Sequence, residues 1–327
     1  MSVGQGSVRR VDLTDGQRRT RERLIGVGDP EGPGVPPRAA ERLRDRIEGE
    51  LAGLSFPETL WLSKGRVEDL ARCRGLLDAS LKGEGEPFAH SAQSAAGTLM
   101  HRAVQLDVAV ERAVDVRSVV ERSADRLIEQ DGGFGRYWAG LDALDRAERL
   151  ADASASLAMF REMFPPIPRA WQPVAEQPMR TRLADGAVVL SGRLDLVLGR
   201  RQRLLIDFKS GEARPAHAED MRFYALLCTL AFGRPPYRVA TVFLQSMEWQ
   251  AEDVTEETLD LAAARVIETA TIAAALIGGA TPILTAGPHC AWCPRRPTCP
   301  EARRHTGPES TGGPGAAAVR KRVAARP

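Results

Sequence analysis

The hydrophobic pattern of this chain changes from helical to strand-like at about residue 171. Three short apolar runs then follow one another, at 179–183, 187–198 and 203–208. Asp185-Gly186 separates the first two runs, and a Gly-Arg-Arg-Gln segment separates the second from the third; both are typical of turns. We therefore predict a meander of three strands, around which the rest of the chain must be arranged.

Helical patterns lie on both sides of this meander. Apolar residues at helical spacing predict helices from residue 38, after Ser63, and over about 97–129, 137–163, 216–232 and 255–276. A further apolar run at 238–245 predicts one more strand. This order predicts an α/β protein in which a small mixed sheet is flanked by helices, with a large helical N-terminal part and a C-terminal Cys-rich loop.

Composition divides the chain further. Gly and Pro are frequent at 26–37, so we predict a disordered leader and linker at 1–37. We expect a helical region carrying Cys73 and His101 at 38–170 and the sheet-containing core at 171–282. A Cys-rich loop at 283–300 and a basic disordered tail at 301–327 follow.

Charge and cysteine content exclude several classes of protein. Lys and Arg total 45 against 43 Asp and Glu, a net charge of +2 that does not by itself predict nucleic-acid binding. Five cysteines in 327 residues are too few for a disulfide framework. The chain shows neither a signal-peptide core nor an apolar run long enough to span a membrane. We therefore expect a cytoplasmic protein without a membrane partner.

Two carboxylates and a lysine form the first candidate site. Strand side chains alternate, so Asp207 and Lys209 project to one face while Ile206 and Phe208 face the other. If the two neighbouring strands pair, Asp195 lies beside Asp207. Two carboxylates at one point attract a divalent cation such as Mg²⁺, and the ammonium of Lys209 would face water and a phosphate. This arrangement suits hydrolysis of a phosphodiester.

Lysine is rare in this sequence, which gives Lys209 additional weight. Of the 45 basic residues, only Lys64, Lys82, Lys209 and Lys321 are lysines. A compact ammonium cannot be exchanged for a guanidinium where it must share protons with water. We attribute the other three lysines to coding bias.

Three cysteines form the second candidate site, since Cys290, Cys293 and Cys299 lie in a C-x2-C-x5-C pattern on a Pro-rich loop. Such clustering favours a metal over a disulfide. A fourth ligand is needed, and Cys73, His289 and Cys228 are the candidates. Both zinc and an iron–sulfur cluster accept four cysteines, and free redox-active thiols are a third possibility. Cys228 lies among leucines and suits a buried core thiol better.

The motif Gly-x-x-Asp followed by Asp-x-Lys-x-Gly, and then by a helix carrying a Tyr, resembles the PD-(D/E)XK nuclease superfamily. More closely, it resembles the RecB-like exonuclease branch, including CRISPR-associated RecB-like and AddB-type nuclease domains. The resemblance extends over about 60–300 and implies a restriction-endonuclease-like core.

The resemblance assigns roles to individual residues. Asp195 and Asp207 match the metal ligands, Lys209 matches the catalytic lysine, and His101 matches a further ligand on an upstream helix. With the carbonyl of Phe208, these residues would hold Mg²⁺ or Mn²⁺. Tyr224 matches the Tyr of a Gln-x-x-x-Tyr motif, whose Gln is replaced here by Asp220. Relatives often carry an acidic residue at the place of Glu176.

The iron–sulfur members of this branch have one upstream cysteine and three downstream. The resemblance therefore implies a [4Fe–4S] cluster on Cys73, Cys290, Cys293 and Cys299, with zinc as the alternative. It implies a metal-dependent nuclease that acts on DNA ends or single strands, in repair, recombination or CRISPR and mobile-element processing. The implied partner is DNA, and a helicase or another repair or CRISPR protein is a candidate for a further partner. The alternatives are a non-catalytic iron–sulfur DNA-binding or scaffold protein and a zinc-stabilised regulatory protein.

Overall fold

A six-stranded mixed sheet lies at the centre of this protein, in a computed structural model that describes residues 12–26, 38–110, 112–211 and 213–306. The strand order is β1-β3-β4-β5-β6, and β2 also pairs with β3. The strands are β1 (Leu60–Leu62), β2 (Val174–Leu183), β3 (Val188–Leu198), β4 (Leu204–Lys209), β5 (Arg238–Phe243) and β6 (Glu248–Asp253).

Helices surround this sheet on both faces. Their bounds are α1 (Asp15–Arg19), α2 (Ala39–Leu51), α3 (Lys64–Arg72), α4 (Arg74–Leu81), α5 (Ala92–Ala109), α6 (Val116–Gln130), α7 (Gly132–Ala139), α8 (Ala143–Met163), α9 (Pro215–Phe232), α10 (Glu256–Ile277) and α11 (Pro300–Thr306). One buried cluster, the first core, joins α2, α9 and α10 to the sheet. A second core joins α5, α6 and α8 to the sheet. The α/β class predicted from the sequence is confirmed.

The long strand β3 has different partner strands along its length, and this determines where the candidate site lies. Along one edge it pairs with β2. Along the other edge, β1 runs parallel to it at Val188–Leu190 and β4 runs antiparallel to it at Leu196–Leu198. The intervening segment 191–195 has no partner among the described strands on that edge. Side chains from the helices can therefore reach the middle of β3.

The alternation predicted for β4 is confirmed. Leu205 belongs to the first core, while Ile206 and Phe208 belong to the second. Asp207 and Lys209 are two and four residues after Leu205, so their side chains lie on the same face of β4 as Leu205, towards α9. The meander β2–β3–β4 is also present, with antiparallel pairing at both steps.

Some helix boundaries differ from the expectation. The pattern at 97–129 is divided between α5 and α6, because Asp115 accepts a hydrogen bond from the Ser118 amide and begins a new helix. The helix predicted at 137–163 is likewise divided, between α7 and α8, and α7 begins earlier at Gly132 because Asp131 accepts hydrogen bonds from the Gly133 and Phe134 amides.

The two strands that were not predicted have weak local signals. β1 has only three residues, and β6 has the sequence Glu-Trp-Gln-Ala-Glu-Asp on the sheet edge. Since β1 comes from the N-terminal region 38–170 and pairs with β3, that region and the core share one sheet.

Residues 12–26 are structured, although the sequence suggested a disordered leader there. Thr14 caps α1 and forms a capping box with Gln17, and a short π-helix ends in Leu24, which is completely buried. The Tyr237 hydroxyl donates a 2.7 Å hydrogen bond to the Ile25 carbonyl. The Gly/Pro-rich composition that motivated the prediction is confined to 26–37. Likewise α11 occupies the start of the predicted tail, while 1–11, 27–37 and 307–327 lie outside the described residues.

No helix within the described ranges combines the length and the apolar character needed to cross a bilayer.

Candidate active site

Three potential metal ligands from three elements meet beside β3. They are His101 on α5, Glu176 on β2 and Asp195 on β3, and one ligand atom of each lies within 4.8 Å of the others. His101 Nδ1 lies 3.0 Å from Asp195 Oδ1. All three residues are half-buried, so the group is shielded but open to an ion.

The chemistry of this group fits a divalent cation. His101 Nδ1 is buried and has no hydrogen-bond partner among the described residues, although a carboxylate oxygen lies within ion-pair distance. A buried polar atom without a partner is costly unless something else satisfies it. One imidazole nitrogen with carboxylate oxygens is a donor set suited to Mn²⁺ and acceptable to Mg²⁺.

Backbone geometry directs the two carboxylates of this group. In the β2–β3 ladder, Ala175 pairs with Leu196 and Gln177 with Leu194, so Glu176 lies opposite Asp195. Glu176 has φ +53°, a left-handed conformation that is uncommon and costly for a residue other than Gly. Such strain is typical of functional positions.

The side-chain alternation of β3 is interrupted at the same place. Leu190 and Leu194 belong to the first core, whereas Leu196 and Leu198 belong to the second. In a regular strand all four side chains would lie on one face, since they are an even number of residues apart. Asp195 lies at the interruption, where neither core encloses its side chain.

A neighbouring strand fixes the Asp195 carboxylate. The Phe208 amide donates a 2.6 Å hydrogen bond to Asp195 Oδ2. The β3–β4 ladder ends at the pair of Leu196 and Ile206, so Asp195 and Asp207 are the next residues beyond its end. The predicted pairing of the two strands is therefore present. A ligand role for the Phe208 carbonyl remains a prediction.

Asp207 lies between two lysines. Its Oδ2 is 2.6 Å from Lys209 Nζ, and its Oδ1 is 3.6 Å from Lys64 Nζ. Burial acts to raise the pKa of Asp207, but the charges of Lys209 and Lys64 outweigh it and hold the pKa well below its usual range. The carboxylate thus stays ionised and available to a cation.

Lys64 was attributed to coding bias, and the structure contradicts that interpretation. Its ammonium lies within ion-pair distance of both Asp207 and Asp220. Burial acts to lower the pKa of Lys64, but these carboxylates raise it well above its usual value. Lysine is rare in this sequence, so the signal that singled out Lys209 was equally present at Lys64. The local sequence gave no indication that α3 begins beside the site.

Tyr224 supports the site rather than reaching towards the three ligands. Its hydroxyl donates a 2.8 Å hydrogen bond to the Arg193 carbonyl, and Lys64 Nζ lies 5.3 Å from its ring centroid. A Cβ on Gly192 would come within 2.7 Å of Tyr224 Cε1. The Gly of Gly-x-x-Asp is therefore needed because the Tyr ring packs directly on the strand that carries Asp195. Burial raises the pKa of Tyr224.

Asp220, in place of the expected Gln, is an ion-pair partner. Its Oδ2 lies 3.1 Å from Lys64 Nζ. Burial raises the pKa of Asp220, and the nearby charges of Glu68 and Asp207 act in the same direction, against the effect of Lys64. Where the family motif has Gln, this chain thus has Asp220, and Lys64 forms an ion pair with it.

The cysteines predicted to act together lie at one end of the fold. Cys73 separates α3 from α4, and its sulfur accepts a 3.3 Å hydrogen bond from the Thr285 amide at the start of the Cys-rich loop. Burial raises the pKa of Cys293, and the neighbouring thiols of Cys299, Cys73 and Cys290 raise it further. The hydrogen bond from Thr285 places Cys73 at the start of the loop that carries the other three cysteines.

The two other candidates for the fourth ligand have different surroundings. Cys228 is fully buried in the first core, which raises the pKa of its thiol to about 12, and it is a core residue as predicted. His289 is buried, and its Nε2 is 3.8 Å from Cys290 Sγ, so it lies beside the cysteines.

An arginine also joins the Cys-rich loop to the N-terminal helices. Arg295 Nη1 lies 2.7 Å from Asp78 Oδ2 on α4, and Arg295 Nε donates a 2.7 Å hydrogen bond to Glu84. These contacts hold the two ends of the fold together independently of any metal.

Comparison with known proteins identifies the family of this chain. The family model of the PD-(D/E)XK nuclease superfamily matches residues 62–300, and the chain belongs to that superfamily. Members of it are generally nucleases that use divalent metal ions and act on DNA. A solved structure described as "Crystal structure of SSO0001" is 13% identical, with a TM-score of 0.33, over 79% of this chain and 93% of that one. No curated protein matches the chain.

Proposed function

We propose that this protein is a Mg²⁺- or Mn²⁺-dependent deoxyribonuclease that hydrolyses phosphodiester bonds at DNA ends or in single strands. The observation that carries the proposal is the juxtaposition of two sets of residues. Lys209 Nζ lies 2.6 Å from Asp207, directly beside the group of His101, Glu176 and Asp195. An isolated metal site would not need the lysine, and a surface ion pair would not need the ligands.

His101, Asp195 and Asp207 would hold the cation, with the Phe208 carbonyl and Glu176 completing the set. When bound, such a cation lowers the pKa of water and neutralises charge that develops on the phosphate. The Phe208 amide keeps Asp195 oriented through its hydrogen bond to Oδ2. Tyr224 holds the strand carrying Asp195 by donating to the Arg193 carbonyl.

Lys209 would act on the reacting groups themselves. Its ammonium donates to the attacking water or to a non-bridging phosphate oxygen, and so stabilises negative charge in the transition state. The water oxygen forms a bond to phosphorus and releases one proton to the solvent, the bond from phosphorus to the leaving oxygen breaks, and the leaving oxygen takes up one proton from the solvent. Asp207 keeps Lys209 in place through the contact at 2.6 Å.

We assign the cysteines to a [4Fe–4S] cluster held by Cys73, Cys290, Cys293 and Cys299, in keeping with the RecB-like branch. Zinc and an iron–sulfur cluster both accept four cysteine ligands, and the resemblance to that branch is what favours the cluster. It would stabilise the junction of α4 and the Cys-rich loop.

DNA would be the partner of the whole chain, with its phosphates meeting arginine-rich surfaces. Repair, recombination, and CRISPR or mobile-element processing are the roles that suit a nuclease of this branch. A helicase or another repair or CRISPR protein is a candidate for a further partner in those settings.

The nuclease proposal is tested by incubating labelled single- and double-stranded DNA with the purified protein and Mn²⁺, Mg²⁺ or EDTA. We expect cleavage with the metals, none with EDTA, and a large loss in Lys209→Ala and Asp195→Ala. Arg117→Ala removes a cation from an exposed surface pair with Glu121 and serves as the control. Metal-dependent cleavage that persists in Lys209→Ala would contradict the mechanism. Absence of cleavage would favour the non-catalytic scaffold instead.

The cluster is tested separately, by purification without oxygen. We expect a brown protein whose visible absorption bleaches with dithionite, and loss of this absorption in Cys299→Ser but not in Cys228→Ser. A colourless protein containing one zinc per chain would contradict the assignment.

A further inference from the structure

Lys64 approaches the candidate site from a different element than Lys209. It is the first residue of α3, directly after β1, whereas Lys209 ends β4. Its ammonium lies 3.1 Å from Asp220 Oδ2 and 3.6 Å from Asp207 Oδ1, above the ring of Tyr224. The two lysines therefore approach Asp207 through different carboxylate oxygens.

Helix stability does not explain a lysine at this position. The N-terminus of a helix carries partial positive charge, so a cation in the first turn is unfavourable and an anion is preferred. The side chain of Ser63 before it makes no capping hydrogen bond. The contacts that hold Lys64 in place are those to Asp220, Asp207 and Tyr224, all in the site.

Neutralising the carboxylates explains only part of the arrangement. Of the side-chain surface, 27% is exposed in Lys64, against 13% in Asp220 and 6% in Asp207. The Lys64 side chain as a whole is thus the more exposed member of each pair. Lys209, which is proposed to meet the phosphate, has the same exposure of 27%.

Asp220 keeps Lys64 in position when Asp207 is engaged elsewhere. A cation bound by Asp207 would weaken the 3.6 Å contact with Lys64, but the closer contact with Asp220 and the Tyr224 ring would remain. A fixed ammonium beside a metal site is a suitable partner for an anionic oxygen of the substrate.

We propose that Lys64 is a second phosphate-binding lysine, which contacts a non-bridging oxygen of the bound DNA backbone, and that Asp220 is its positioning residue. The proposal rests on the nuclease function proposed above. It gives the replacement of Gln by Asp220 a specific purpose, which is to hold a cation that the family motif does not include.

Binding measurements at varied salt test this directly. Fluorescence anisotropy of a fluorescein-labelled oligonucleotide, single-stranded and duplex, gives the slope of log K against log salt, with Ca²⁺ replacing Mg²⁺ and strand integrity checked on a gel. Loss of one phosphate contact should reduce the slope by about 0.7 for single strands and about 0.9 for duplex. We expect this reduction in Lys64→Met and a wild-type slope in Lys64→Arg.

Two further variants distinguish the loss of a phosphate contact from an effect on folding or on overall charge. Lys64→Met with Asp220→Asn removes the unpaired buried carboxylate, so that folding is preserved, and should show the same reduced slope. Arg42→Met is the matched control, because Arg42 also bridges two carboxylates, those of Asp260 and Glu256, and should leave the slope unchanged. A structural role for Lys64 would alter stability without altering the slope.

The outcomes separate this inference from the nuclease proposal. A wild-type slope in the folded Lys64→Met or double variant overturns the role of Lys64, even if the wild-type protein cleaves DNA. A reduced slope supports it, even if cleavage in Mn²⁺ fails and the nuclease proposal falls. Absence of any DNA binding by the wild-type protein overturns both.

Discussion

The ring of Tyr224 packs so closely on Gly192 that a Cβ at that glycine would lie 2.7 Å from Tyr224 Cε1. The same ring lies beneath Lys64, and its hydroxyl holds the Arg193 carbonyl. One aromatic side chain therefore connects the strand that carries Asp195 to the helix that begins with Lys64. The Gly-x-x-Asp motif and the Tyr motif are parts of a single packing arrangement.

Gly192→Ala should destabilise the protein and impair the site. The added methyl group must displace the Tyr224 ring, and overpacking of this kind costs about 1–3 kcal/mol. Denaturant unfolding measures the loss. Gly49→Ala is the control, since a Cβ there meets nothing within 4 Å, and it should be neutral or slightly stabilising. Equal stability of the two variants would contradict the packing argument.

Glu176→Gln should weaken metal binding. Glu176 contributes a carboxylate to the group with His101 and Asp195, and its left-handed backbone directs it there. We expect the affinity for Mn²⁺, measured by calorimetry or electron paramagnetic resonance, to fall roughly tenfold or more, as is usual when a metal site loses a supporting group. Glu248→Gln, on the exposed edge strand, should retain wild-type affinity. Unchanged affinity in Glu176→Gln would exclude it as a ligand.

Asp207→Asn should reduce stability in a pH-dependent manner. The two lysines hold the pKa of Asp207 below its ordinary value in the folded protein. A lowered pKa in the folded state stabilises at pH values above the ordinary Asp pKa of about 4. We therefore expect the variant to lose about 1.5–3 kcal/mol at pH 7, as for hydrogen bonds to charged groups.

This difference should shrink as the pH falls below the ordinary value towards the lowered pKa, and unfolding of both proteins at several pH values measures it. The control Asp152→Asn changes an exposed pair with Arg149 and should stay within about 1 kcal/mol throughout. A difference for Asp207→Asn that grew on acidification would refute the assignment.

Arg295→Met should loosen the Cys-rich loop even in protein without a cluster. The change leaves buried Asp78 with Lys82 as its one ion-pair partner in the described part of the chain, and it removes the contact to Glu84. Loss of a partner for a buried charged group costs about 1–3 kcal/mol. Denaturant unfolding and limited proteolysis of chelator-treated protein measure the effect. The neighbouring Arg296 is exposed, and Arg296→Met should behave like the wild type; proteolysis that is equal in both variants would contradict the role of Arg295.

The local sequence was sufficient to predict the strands that carry the site. Alternation at 204–209 placed Asp207 and Lys209 on the face opposite Ile206 and Phe208, and the two cores confirm it. The turn residues set the order of the meander. These features follow from periods of two residues and from short-range turn chemistry, so a linear reading reveals them.

Only the tertiary structure revealed Lys64 and the left-handed backbone of Glu176. Lys64 meets Asp207 and Asp220 because three-residue β1 joins the sheet beside β3, and no local periodicity marks so short a strand. The orphaned His101 Nδ1 likewise becomes visible only when α5 packs against β3. The sequence by itself determined which residues could perform the chemistry, since residue type and strand alternation are local properties. Packing between distant segments decided which of them share one site.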